Sequence, residues 1–152
     1  MFKGTDFNQD VSSWDMSSVS NMRYMFDGVQ AFDQDVSTWD VSNVENFEGM
    51  FEQSSNFNSN LSNWDVSQAT EMKNFLKGTD AFSAENYAAM LEEWSKLTLK
   101  ESVSLDAEAK ICDVRYRELI EDSFNWTITD GGPPEGCPQV LPAVLTKQVS
   151  DS

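Results

Sequence analysis

Val36-Ser37-Thr38-Trp39-Asp40-Val41-Ser42-Asn43-Val44 places apolar residues at offsets 0, 3, 5 and 8. The frame recurs as Val11, Trp14, Met16, Val19 and as Leu61, Trp64, Val66, Ala69. Around it, Phe7, Phe32, Phe57 and Phe82 stand 25 residues apart, and Asp15, Asp40, Asp65 and Ser17, Ser42, Ser67 keep the same step. A fixed period in the range of ~20–50 residues marks stacked units, because one such unit cannot bury its apolar face alone.

Within one unit, Trp39 and Val41 alternate with Asp40, which predicts a short strand with Asp40 outward. Val44, Phe47, Met50 and Phe51 then fall on one helical stripe, with Ser42 and Glu45 spaced as a capping box. Gly4, Gly28 and Gly78 follow the stripe, where a helix C-cap needs positive φ. The offsets match the leucine-rich repeat L-x-x-L-x-L-x-x-N, with Trp and Val for Leu. The expected fold is therefore a leucine-rich-repeat-like α/β solenoid. It has three coils of about 25 residues, with short parallel strands, short helices and an α/β C-terminal cap.

The repeats fill residues 1–82. Met1-Phe2 matches Met25-Phe26 and Met50-Phe51, so the chain opens inside a repeat and reads as part of a longer protein with upstream repeats. Residues 83–132 read as the cap of the same domain. Ser83 caps a helix carrying Tyr87, Met90, Leu91 and Trp94, and Val103-Ser104-Leu105 alternates as a strand. Tyr116, Leu119 and Ile120 mark a second helix, and Trp126-Thr127-Ile128 a last strand. Residues 133–152 read as a tail or linker.

The stretch Met25-Phe26-Asp27-Gly28-Val29-Gln30-Ala31-Phe32-Asp33-Gln34-Asp35-Val36, continuing through Trp39-Asp40-Val41-Ser42 to Phe47, resembles the BspA-like bacterial surface-protein repeat. That is the mycoplasma lipoprotein-associated repeat family, with the pattern MF-x5-FNQ-x-(I/V)-x-x-WDVS-x-V-x-x-M. The resemblance covers residues 1–82, and Asn86–Gly132 is similar to the terminal cap often found after such repeats. It implies an extracellular, secreted or cell-surface protein engaged in adhesion to a protein or glycan, with no catalytic activity.

Composition narrows the chemistry. The net charge of −16 divides as −9 in residues 1–82 and −7 in residues 83–152, so neither half is a basic arm. Nucleic acid and anionic membranes need clustered Lys or Arg, which is absent here. The chain has no His, which removes the usual general base and zinc ligand. No apolar run approaches the ~20 residues that span a bilayer. The functional expectation is a non-enzymatic binding or adhesion module; the alternative is a structural spacer or stalk.

The outward positions Ser13, Asp15, Thr38, Asp40, Asn63 and Asp65 form the candidate ligand-binding face. If the coils stack in register, Asp15, Asp40 and Asp65 form a carboxylate column, and like charges opposite one another are destabilising. Two accounts offset the repulsion. One is hydrogen bonding within each turn, favoured because the Asp recurs in every coil; the other is a cation, Ca²⁺ being the candidate. The pairs Asn8/Asp10, Asp33/Asp35 and Asn58/Asn60 lack the Gly and distal Glu of an EF-hand and read as Asx-turns and an inter-coil ladder. Asn60-Leu61-Ser62 and Asn125-Trp126-Thr127 are glycosylation sequons. Cys112 and Cys137 admit either a disulfide or two free thiols, with Cys112 buried in the second case.

Overall fold

The computed structural model describes residues 2–137. The predicted tail lies mostly outside the described residues. Five regular elements appear: β1 (Met72–Leu76), α1 (Ala84–Trp94), β2 (Ser104–Ala107), α2 (Arg115–Phe124) and β3 (Thr127–Thr129). The strands form one parallel sheet in the order β1-β2-β3, with Leu105 opposite Met72 on one side and Ile128 on the other.

The pairing continues N-terminally through isolated parallel bridges, Glu71 to Asn46 and Asn46 to Asn21. The amides of Met22, Tyr24, Phe26 and Gly28 donate to the carbonyls of Asn46, Glu48, Met50 and Glu52 at 2.7–2.8 Å. One coil on, those of Phe47, Gly49, Phe51 and Gln53 donate to Glu71, Lys73, Phe75 and Lys77. Phe2 and Gly4 join the same ladder through Met25 and Asp27.

This ladder occupies the segment where the sequence predicts a helix, and the predicted strand is not one. Trp39–Val41 sits between two turns, closed by Trp39 N–H to Val36 O (3.1 Å) and Val44 N–H to Val41 O (2.9 Å). The inward–outward alternation survives there: Trp39 and Val41 are buried and Asp40 is exposed. From Met22 to Val29 the backbone makes paired turns, Met22–Met25 and Phe26–Val29, rather than helix. Each has a left-handed third residue, Tyr24 (φ 56°) and Gly28 (φ 72°). Gly49 and Gln53, then Asn74 and Gly78, repeat the pair with positive φ. Such φ values fit a tight turn and exclude a continuous α-helix. Tight turns point side chains inward every three or four residues, so their apolar spacing imitates a helical stripe. Accordingly Ser42 and Glu45 form no capping box: the Ser42 hydroxyl goes to Asp40, and the Glu45 amide to Ser20 O at 2.8 Å.

The interior is a file of rings. Phe7, Phe32, Phe57 and Phe82 follow one another at 6.0–6.2 Å, and Phe2, Phe26 and Phe51 at 5.6–5.7 Å. Trp39 Nε1 donates to Val11 O and Trp64 Nε1 to Val36 O, both at 2.9 Å and 28 residues back. Helix α1, capped by the Ser83 hydroxyl on the Asn86 amide (3.0 Å), buries Tyr87, Met90, Leu91 and Trp94. Its Trp94 Nε1 reaches Leu61 O at 3.2 Å, so the helix docks with the bond the coils use among themselves. Helix α2 buries Ile120, with Tyr116 and Phe124 packed against the core. A carboxylate clamp closes the cap. Asp130, its side chain only 2% exposed, accepts from Tyr87 Oη (2.8 Å) and Arg117 Nη1 (3.0 Å).

Two substitutions test this packing. Trp39→Ala is expected to cost about 3–5 kcal/mol in chemical denaturation, as for a buried aromatic. Trp39→Phe should keep most of the ring packing and lose only about 0.5–1.5 kcal/mol, because the indole bond goes while Val11 O keeps the Trp14 amide at 3.0 Å. Gly49 combines a φ of 60° with a close approach, since a Cβ there would run into the Tyr24 ring. Gly49→Ala should therefore destabilise by more than the ~1 kcal/mol of a left-handed Ala alone, and Tyr24→Ala in the same chain should recover the excess. Additive effects would show that the ring does not rest on Gly49.

Candidate functional site

The outward residues of the Trp-Asp-Val-Ser stretch sit on turns, where the backbone needs acceptors. Asp15 Oδ1 accepts the Ser17 amide (3.0 Å) and hydroxyl (2.5 Å). Asp40 does the same with Ser42 at 3.0 and 2.6 Å, and Asp65 takes the Ser67 amide at 3.0 Å. These are Asx-turns, the geometry a short carboxylate makes with a peptide two residues on. The Ser17 hydroxyl and amide hold the Asp15 carboxyl below the ordinary aspartate range, and Ser42 does so for Asp40, with Asp15 opposing weakly.

Ser13, Asp15, Thr38, Asp40, Asn63 and Asp65 are all exposed. Asn43 Nδ2 crosses between coils beside them, donating to Ser17 O at 2.6 Å. Past Asp65 the face opens into a recess of about 500 Å³, lined by Asp65, Ser67, Gln68, Thr98 and Lys100 among others. The structure gives Asp15, Asp40 and Asp65 turn-closing partners of their own. Each carboxylate accepts from the Ser two residues on in its own repeat. Among the described residues no group of three or more His, Cys, Asp or Glu side chains could hold a metal ion.

The loop pairs divide their work. Asp10, Asp35 and Asn60 close turns on the amides of Ser12, Ser37 and Ser62 at 2.8–2.9 Å. Asn8 and Asn58 act between coils: Asn8 Oδ1 accepts from Asp33 N–H (3.1 Å) and Gln34 Nε2 (2.8 Å). Asn58 Oδ1 accepts from Ser83 N–H (2.9 Å) and Asn86 Nδ2 (2.8 Å). Asn60, in its turn, and Asn125, the left-handed C-cap of α2, are exposed sequon residues. Cys112 and Cys137 are bridged, and Cys112 is exposed rather than buried.

A second polar face escaped the sequence reading. The outward side chains of the ladder make ion pairs from coil to coil, Lys3 with Asp27 and Arg23 with Glu48, each at 3.0 Å. Both cations stand over the Tyr24 ring, Lys3 Nζ 5.2 Å and Arg23 Cζ 4.9 Å from its centre. Burial, and after it Asp27, push the Glu52 carboxyl up, while Lys77 and Lys3 oppose. The signal was present in the 25-residue spacing of Arg23, Glu48, Lys73 and of Asp27, Glu52, Lys77, which the apolar period overshadowed.

The model of the family described as Mycoplasma protein of unknown function, DUF285, matches residues 1–97. The chain belongs to the DUF285 family. The DUF285 match ends just past Trp94, so it takes in both the repeats and the helix that continues their indole bond. No curated protein and no solved structure matches this DUF285 chain.

The turn acceptors carry a pH signature. With folded pKa values depressed, Asp15 and Asp40 stabilise the fold above the usual aspartate pKa of ~3.9, and that contribution is lost as pH falls through the folded values. Asn60 already does the work of Asp10 and Asp35, so Asp40→Asn should melt close to the parent at neutral pH and Asp40→Ala clearly below it. Melting curves in calcium and in chelator at matched ionic strength should superimpose. A calcium-dependent rise abolished by Asp40→Asn would instead assign the column to a cation.

Proposed function

We propose that this chain is a leucine-rich-repeat-like solenoid of the BspA-like kind. It serves as a non-enzymatic binding or adhesion module at a cell surface or in a secreted protein. The observation that carries the reading is the division of labour along the Trp-Asp-Val-Ser stretch. Trp14, Trp39 and Trp64 recur unchanged, whereas the exposed neighbours Ser13, Thr38 and Asn63 differ from coil to coil. A fixed frame with changing outward side chains is how repeat proteins build binding surfaces. The polar face beside the recess at Asp65 offers such a surface to a protein or glycan. The Cys112–Cys137 bridge supports maturation in an oxidising, extracellular setting.

The net charge of −16 favours partners with basic groups. Immobilised chain is expected to retain an oligolysine peptide at low salt, to lose it progressively as salt rises, and to ignore heparin. Asp15→Asn, Asp40→Asn and Asp65→Asn combined should weaken retention while leaving the melt nearly unchanged. Undiminished retention by the triple variant would move the binding surface elsewhere, for instance to the ladder face. Failure to retain oligolysine, heparin or neutral oligosaccharides would favour the second reading, a spacer or stalk. That reading is supported by the uniform coil-to-coil bonding, which makes a stiff element.

A further inference from the structure

The disulfide joins the approach to α2 with Cys137, the last described residue, across 25 residues and a Cα–Cα distance of 5.5 Å. Most of the chain inside this covalent loop has anchors of its own. Strand β3 pairs with β2, Trp126 Nε1 donates to Lys100 O at 2.7 Å, and Gly131 N–H reaches Ala109 O at 2.9 Å. Asp130 is held by Tyr87 and Arg117, and Gly132 N–H closes onto Asp130 Oδ1 at 2.9 Å. Past Gly132 these anchors stop. Residues 135 and 136 form a local turn, and among the described residues no hydrogen bond or ion pair ties residues 133–136 to another part of the chain. The covalent bridge is what fastens them.

We propose that the Cys112–Cys137 bridge is a redox latch. Closed, it fixes residues 133–137 against the cap; opened, it frees them while the repeats, the sheet and the Asp130 clamp stay folded. The reductant is a dithiol. Its thiolate attacks the Sγ of exposed Cys112, forms a mixed disulfide and expels the Cys137 thiolate. The second thiol of the reductant then closes its own disulfide and releases Cys112. Two electrons and two protons pass from the dithiol to the two cysteines. This differs from a staple, in which the bridge would hold the fold itself together. The position of the bridge decides between the two roles, because among the described residues it ends on a segment with no other long-range hydrogen bond or ion pair, where local release costs little.

The test uses the full chain, with and without dithiothreitol, under a Glu-specific protease. Mass spectrometry follows cleavage after Glu135, with cleavage after Glu108 as the internal reference and near-UV circular dichroism as the reading of core packing. Reduction should accelerate cleavage after Glu135 by at least ~10-fold relative to Glu108 and leave the near-UV signal in place. Cys137→Ser should match the reduced protein without any reductant. Equal cleavage rates in the two redox states would overturn the latch, because something else then holds the segment. Loss of the near-UV signal on reduction, or a Cys137→Ser chain that fails to fold, would overturn it in favour of a staple.

Discussion

The stack depends on one hydrogen bond, from an indole N–H to a carbonyl of the coil before it. Trp39, Trp64 and Trp94 each make it, to Val11, Val36 and Leu61. The bond matters because the repeats hold little regular secondary structure: each of these carbonyls closes a turn on an amide three residues on, at 3.0–3.1 Å, and the indole is what ties that turn to the next repeat. A carbonyl oxygen carries two lone pairs, and a hydrogen bond to the second contributes roughly 0.5–1.5 kcal/mol. The indole fills the interior and takes that second lone pair with one side chain. Other side chains complete the accounting: the Ser54 hydroxyl bonds Phe26 O, and the Ser59 hydroxyl takes the amide of Val36.

The sequence told which residues face inward better than what backbone carries them. Phe32, Phe57, Val41 and Trp64 are buried where the 25-residue period put them, and Asp40 is exposed between buried neighbours. The exchange of strand and turn has a local cause. Alternation at Trp39–Val41 is also produced by two turns meeting back to back, and the stripe from Val44 to Phe51 by two turns in succession. Gly49 and Gln53 hold the left-handed positions that forbid a helix there, and only Gly49 advertises it. The cap was more legible, since α1 has a true helical stripe, a Ser cap and no left-handed residue.

The polar surface was readable in parts. Asx-turns follow from residue type two places before an amide, so Asp15, Asp40 and Asp65 could be assigned to turns from their Ser partners. The pairing of Lys3 with Asp27 and of Arg23 with Glu48 needed the true location of the ladder, because neighbours across coils depend on which residues face out. The disulfide needed geometry as well, since two cysteines with 24 residues between them fix no distance.

The contact between Tyr24 and Gly49 bears on how such a chain can be rearranged. A large side chain at this left-handed position lies across the same position of the following coil, and Gln53 lies likewise over Gly78. Each coil therefore dictates the size its successor is allowed there. Two coils of the Tyr24 kind in immediate succession would set an aromatic ring where the next residue's Cβ must go. The units thus have a fixed order of neighbours. Duplicating or shuffling one during evolution would be tolerated only where no two bulky residues come to follow one another in such a column.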